Sequence, residues 1–139
     1  MIGALMLCAV VAVQDGDTIT VQCDVGVVKV RIAEIDAPEG SQPFGDESRK
    51  RMVDLCLGTV AQVEDRGKDR YGRTIAAVQC RSQDVGHVMV RDGMAWAYRK
   101  YMKDATFLDD EEAARKAHAG LWKAPSPIAP WDWRRMKRD

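Results

Sequence analysis

The residues best suited to chemistry lie in two short stretches, Asp15-Gly16-Asp17-Thr18 and Arg31-Ile32-Ala33-Glu34-Ile35-Asp36-Ala37-Pro38-Glu39. Asp17 and Asp36 follow or end different strands. Two carboxylates sharing a site repel, and a divalent cation relieves that repulsion. Oxygen-only ligands suit Ca²⁺ or Mg²⁺ better than zinc. Arg31 interrupts an otherwise apolar strand, and a guanidinium there can hold a phosphate bidentately. Glu39, three residues past Asp36, can take a proton from an attacking water. Carboxylates, a cation and a base are the parts needed to bind a divalent metal and cut a phosphodiester. A second cationic group follows as Asp69-Arg70-Tyr71-Gly72-Arg73. Gly72 permits a tight turn that lets Arg73 point back across the fold. Tyr71, Tyr98 and Tyr101 can stack on a base or bond a phosphate.

Each residue also has a plain reading. Asp-Gly is the strongest short hairpin signal, so Asp17 can be a turn residue and Asp36 a strand terminator. Arg31 can be a solvated outer-face arginine, Glu39 a loop glutamate, and Arg73 part of a charged hairpin loop. Trp96 is assigned to the core. His87 and His118 fall on predicted helices without paired spacing and receive no metal or catalytic role. No serine or cysteine sits in a nucleophile motif. The basic end Arg134-Arg135-Met136-Lys137-Arg138 suits an anionic contact or a solvated tail.

The positioning elements follow from periodicity. Ala9–Val13 reads as a buried strand. Ile19, Val21 and Cys23 then alternate with Thr20 and Gln22, and Val27–Ile35 places Val28, Val30 and Ile32 on one face. Pro38, Gly40 and Pro43 open a loop. A first helix is expected from an Asp46 N-cap to just before Gly58. Strands are expected over Thr59–Glu64 and Thr74–Cys80, flanking a charged loop, Asp65–Arg73. A second helix runs from an Asp84 cap to Gly93, and a third from Thr106 to Ala119. In the third, Glu111 with Arg115 and Glu112 with Lys116 can pair. Pro125, Pro127 and Pro130 make the tail extended. Five short strands with a helix after the third suit an α+β, mainly β fold: a Greek-key OB-type barrel with three helices.

Composition sets the outer limits. The sequence has 139 residues, enough for one domain, and is 46% hydrophobic and 30% charged, which excludes a disordered chain. Lys+Arg and Asp+Glu are equal at 21 each, so a nucleic-acid contact must come from a local basic site. The apolar run Ile2–Val13 is too short to span a membrane and lacks the basic start of a signal peptide. Residues 1–8 are read as an apolar segment or leader stub, 9–122 as the barrel domain and 123–139 as a tail. Cys8, Cys23, Cys56 and Cys80 form no C-x-x-C pair, so zinc is not expected. If the first hairpin loop is Asp15-Gly16, Cys8 faces Cys23; if it is Gly16-Asp17, Cys8 faces Val25. Cys56 and Cys80 can also pair. Four buried free thiols are the alternative.

Together the motifs resemble the staphylococcal nuclease-like (thermonuclease) family. The resemblance runs from about Val10 to Trp122 and rests on Asp15-Gly16-Asp17-Thr18, Arg31 through Glu39, Asp69-Arg70-Tyr71-Gly72-Arg73 and Leu121-Trp122. It implies an OB-fold barrel with three helices and cleavage of DNA and RNA, single-stranded or frayed, by a monomer. It implies that Asp17, Asp36 and the Ala37 carbonyl hold Ca²⁺, that Glu39 is the general base, and that Arg31 and Arg73 bind the phosphate. Arg70, Tyr71, Tyr98 and Tyr101 are the implied substrate contacts. Ala37 departs from a threonine found in the family, which removes a hydroxyl near the metal. The rival expectation is a non-catalytic OB-fold module that binds nucleic acid or protein. The hazard of a general nuclease, the Ca²⁺ requirement and the cysteine count point to a secreted or periplasmic location.

Overall fold

The computed structural model of the protein describes residues 4–100 and 102–138; Tyr101 lies outside them. Its elements run β1 (Leu5–Asp15), β2 (Thr18–Cys23), β3 (Gly26–Ile32), β4 (Ile35–Asp36), α1 (Gly45–Cys56), β5 (Val60–Lys68), β6 (Thr74–Cys80), β7 (Gln83–Asp84), α2 (Val85–Arg91), β8 (Trp96–Ala97), α3 (Thr106–Lys116) and α4 (Pro130–Arg138). A 3₁₀ turn over Gly120–Lys123 separates the last two helices. The large sheet has the order β3-β2-β1-β5-β6-β7, and parallel pairing of β3 with β6 closes five strands into the expected barrel. Alternating apolar residues fill it, among them Val10, Ile19, Val21, Val30, Ile32, Val63 and Val78.

The first hairpin reconciles two conflicting expectations. Asp15 pairs with Thr18, so the loop is Gly16-Asp17. A regular ladder from that turn would set Cys8 against Val25. Instead β1 carries two bulges, between Val10 and Ala12 and between Val13 and Asp15. Each inserts one extra residue on the β1 side. The two shifts bring Cys8 back to Cys23, and the pair is disulfide-bonded. The same bulges let Val10 and Val13, three apart, both face the core. A second disulfide joins Cys56, at the end of α1, to Cys80 at the end of β6, so the alternative of four free thiols is overturned. The first strand is also longer than Ala9–Val13, beginning at Leu5.

Several boundaries move, each for a local reason. The third strand stops at Ile32 rather than Ile35. Ala33-Glu34 turns, with Glu34 at φ 75°, and its carboxylate accepts the backbone N–H groups of Lys103 and Asp104 at 2.8 and 2.7 Å. Ile35 and Asp36 then pair with Ala97 and Trp96 of β8. Helix α1 is capped not by Asp46 but by Phe44 in a left-handed conformation with no side-chain cap bond. Asp46 and Glu47 fall in its first turn, where they favour the helix dipole. The strand before the charged hairpin runs on to Lys68, so that loop shrinks to a tip. Helix α2 starts at the expected Asp84 cap, whose side chain accepts the His87 N–H. Helix α3 ends at Lys116, short of Ala119, and both expected ion pairs form along it.

The tail is the largest correction: it was expected to be extended, and residues 130–138 are helical. Among the described residues the barrel therefore carries four α-helices rather than three. Pro130 occupies the first helical position, where its missing N–H and fixed φ cost nothing. Asp132 in the first turn and Arg135, Lys137 and Arg138 in the last match the dipole. Tertiary contacts complete the reason. Ala129 and Pro130 are buried, and Trp131 packs on Trp96 and stacks on Tyr98, with ring centroids 5.5 and 5.6 Å apart. Trp96, Leu121 and Trp122 belong to this second core, so Trp96 is a core residue as expected.

Candidate active site

The Gly16-Asp17 turn and the Ile32–Asp36 turn meet at one end of the barrel. Gly16 is required there because a Cβ would lie 2.0 Å from Ser48 Oγ and 3.0 Å from Ala37 Cβ. Asp17 Oδ2 accepts the Ala37 N–H at 2.8 Å, its Oδ1 accepts the Thr18 hydroxyl, and its carbonyl accepts the Ile32 N–H. This places Asp17 and Asp36 on either side of Arg31. The guanidinium lies 3.6 Å from Asp17 Oδ2 and 3.5 Å from Asp36 Oδ1. Its Nη1 donates to the Ile32 and Ile35 carbonyls at 2.8 and 2.7 Å. Arg31 is thus a fixed, partly buried cation rather than a solvated outer-face residue.

Glu39 enters from the following loop. Its N–H donates to Gln42 Oε1, and Gln42 in turn donates to the Ile128 carbonyl at 2.6 Å. Gly45 lets α1 press on this loop, since a Cβ there would lie 2.0 Å from the Glu39 carbonyl oxygen. The Glu39 carboxylate meets Arg134 of α4 at 2.8 Å. The same guanidinium grips both oxygens of Asp36, at 2.6 and 3.2 Å. Asp17, Arg31, Asp36 and Glu39 therefore converge as their spacing suggests, with Arg134 among them.

Electrostatics adds a further member. Burial, then the charges of Asp17 and Glu39, raise the Asp15 carboxyl to a pKa of about 6; Arg31 and Arg49 oppose this. Asp15 is thus an acidic neighbour of the site. Burial also raises the pKa of Asp36, against the hydrogen bond from Arg134. Donating to the Asp36 carboxylate raises the pKa of Arg134 in turn.

The charged hairpin is held by its own contacts. Arg73 binds Asp69 Oδ2 at 2.7 Å, and Asp69 Oδ1 accepts the N–H groups of Tyr71 and Arg73. Burial would raise the Asp69 pKa, but these bonds from Arg73 and Tyr71 win and lower it. Arg70 reaches the Tyr71 hydroxyl at 2.9 Å, and both Arg70 and Arg73 lie over the Tyr71 ring. Gly72 adopts φ 83°, the conformation its turn needs. Thr74 pairs with Val30, so β6 starts beside the strand that carries Arg31. Tyr98 is half-buried against Trp131. His87 is not a plain surface histidine: it stacks on Phe107 and its Nδ1 meets Asp110.

A family model described as staphylococcal nuclease homologue matches residues 29–124. The chain belongs to the staphylococcal nuclease family. It is 44% identical, over 94% of its length and 74% of the relative's, to an uncharacterized endonuclease of Haemophilus influenzae. It is 41% identical to a micrococcal nuclease of Shigella flexneri, over 94% of this chain and 81% of that one. Protein ParB of Escherichia coli is 39% identical, with 91% and 77% covered. At family level the protein is a nuclease, a phosphodiester hydrolase, with nucleic acid as its substrate. No helix among the described residues is long and apolar enough to cross a membrane.

The staphylococcal nuclease framework makes the two missed residues clear. Asp15 was visible in its motif, but its burial was not. Arg134 lies 98 residues from Asp36 in sequence and 10 beyond the matched segment's last residue; the basic end marked it for an anionic contact, but nothing local named Asp36 and Glu39 as its partners. Asp17 and Asp36 are oxygen donors of the kind that hard divalent cations take. A buried carboxylate, Asp36, is already satisfied by a cationic group, and Asp17 lies across Arg31 from it. Among the described residues no three His, Cys, Asp or Glu side chains form a metal cage. Backbone carbonyl and water oxygens would complete the shell, as hard cations accept.

Proposed function

We propose that the protein is a calcium-dependent endonuclease that hydrolyses phosphodiester bonds of DNA and RNA. The observation that carries this reading is the fixed Arg31 guanidinium flanked by Asp17 and Asp36. Asp17, Asp36 and the Ala37 carbonyl would hold the cation. When bound, Ca²⁺ supplies Lewis-acid polarisation of the scissile phosphate. Arg31, already oriented by two backbone carbonyls, presents its remaining donors to a phosphate without reorganising, which is where preorganised charge is most effective. Glu39 takes the proton of the attacking water. Arg73 leaves Asp69 to bear on the charge that develops on the phosphoryl oxygens. Arg70 and Tyr71 at the hairpin tip, with Tyr98 and Tyr101, contact the flanking nucleotides. The substrate is single-stranded or frayed, because a base must unstack to reach these rings.

The same proposal makes the protein a monomer working outside the cytoplasm, secreted or periplasmic, where its two disulfides persist. A second reading, a non-catalytic binding module, draws on the hold of Arg134 on Asp36 and Glu39. Digestion of single-stranded DNA and of RNA with Ca²⁺ or with chelator decides between them. Cleavage only with Ca²⁺ is expected, and metal-dependent cleavage of neither substrate favours the binder. Arg31→Ala or Arg73→Ala should lower the rate by on the order of 10²–10³, and near-wild-type cleavage by a folded Arg73→Ala would remove that arginine from the mechanism.

A further inference from the structure

We infer that Arg134 is a built-in competitor of the metal: its guanidinium and a divalent cation take turns on Asp36. This rests on the metal reading above and goes beyond it, because the arginine lies outside the segment that the family model matches. Asp36 is 1% exposed, so its charge needs a close partner. Arg31 Nη2 lies 3.5 Å from Asp36 Oδ1, a longer approach than either Arg134 contact. Arg134 is the closer cation and engages both Asp36 oxygens and Glu39 Oε1. Such a fork uses the lone pairs in the carboxylate plane. A hard cation needs one of those oxygens at about 2.3–2.6 Å. A guanidinium at 2.6 Å from Oδ2 and 3.2 Å from Oδ1 stands in that approach. Its charge also repels the incoming ion.

The arginine is able to leave. Its side chain is 39% exposed and flexible, whereas α4 is anchored independently by Pro130 and by Trp131 on Trp96 and Tyr98. The exchange therefore needs a side-chain rotation and no undocking of the helix. Leaving Asp36 also frees Glu39, so one movement opens the metal site and releases the proposed base. With Arg134 turned out, its charge joins Lys137 and Arg138 along the groove beside Glu39 and Trp133.

Calorimetric titration of Ca²⁺ alone into the full chain, without nucleic acid, tests this. The proteins are wild type, Arg134→Ala and Arg134→Lys, each checked for folding by thermal melting. A site whose competent form is about a tenth of the population binds about tenfold more weakly, so Arg134→Ala should tighten Ca²⁺ binding by about that factor. Arg134→Lys keeps the charge but cannot form the fork, and should tighten binding by about threefold or more. Arg134→Lys binding as weakly as wild type would reduce the effect to net charge and overturn the competition. Unchanged or weaker binding by Arg134→Ala would overturn it as well. Should Arg134→Ala not fold, Arg134→Lys alone decides. Binding by none of the three proteins would instead refute the metal reading itself.

Discussion

Asp15→Asn should stabilise the metal-free protein at neutral pH, and by an amount that depends on pH. Asp15 is half-buried, beside Asp17 and Glu39, and these surroundings raise its pKa from 3.8 to about 6. The folded state therefore holds the proton more tightly than the unfolded chain. Stability from this group is fully present below about pH 4 and is lost as pH rises to about 6. The shift of about two units corresponds to about 3 kcal/mol, which solvent screening of a half-exposed group reduces to about 1 kcal/mol. Asparagine keeps the shape and the turn preference without the charge. The variant should thus match wild type near pH 4 and exceed it by about 1 kcal/mol at pH 7. Denaturant unfolding followed by tryptophan fluorescence, with chelator at several pH values, measures this directly. On the proposed metal reading, added Ca²⁺ should erase the advantage, because a bound cation would offset the charge of the wild-type carboxylate cluster. A variant less stable than wild type at pH 7, or a difference that does not vary with pH, would refute the argument that burial and like charge raise Asp15.

Two further outcomes test the scaffold. Replacing Cys56 and Cys80 together by alanine opens a cross-link spanning 24 residues and should cost about 3 kcal/mol, read as a lower melting temperature that reductant lowers further only through the remaining Cys8–Cys23 bond. Gly16→Ala forces a Cβ into Ser48 Oγ and Ala37 and should cost about 1–3 kcal/mol while weakening Ca²⁺ binding measured by titration; a variant unchanged in both would show that the turn can shift away from α1.

What the sequence determined was much of what has a short-ranged cause. Alternation of apolar residues set β2, β3 and β6, because a strand's faces repeat every second residue. Turn and cap chemistry marked the Asp84 cap and the Gly72 turn. The order of Asp17, Arg31, Asp36 and Glu39 indicated the site, since strand ends and tight turns carry these side chains to one rim. The tertiary structure decided the rest. Two bulges in β1, which no alternation pattern announces, determined that Cys8 bonds to Cys23. Pro130 looked like a breaker and became the first residue of a helix, because Trp131 found Trp96 and Tyr98. Asp15 acquired its raised pKa only from burial and from neighbours brought by another loop. Arg134 reached Asp36 across 98 residues because that helix is docked, and a contact of that range leaves no periodic trace in the chain.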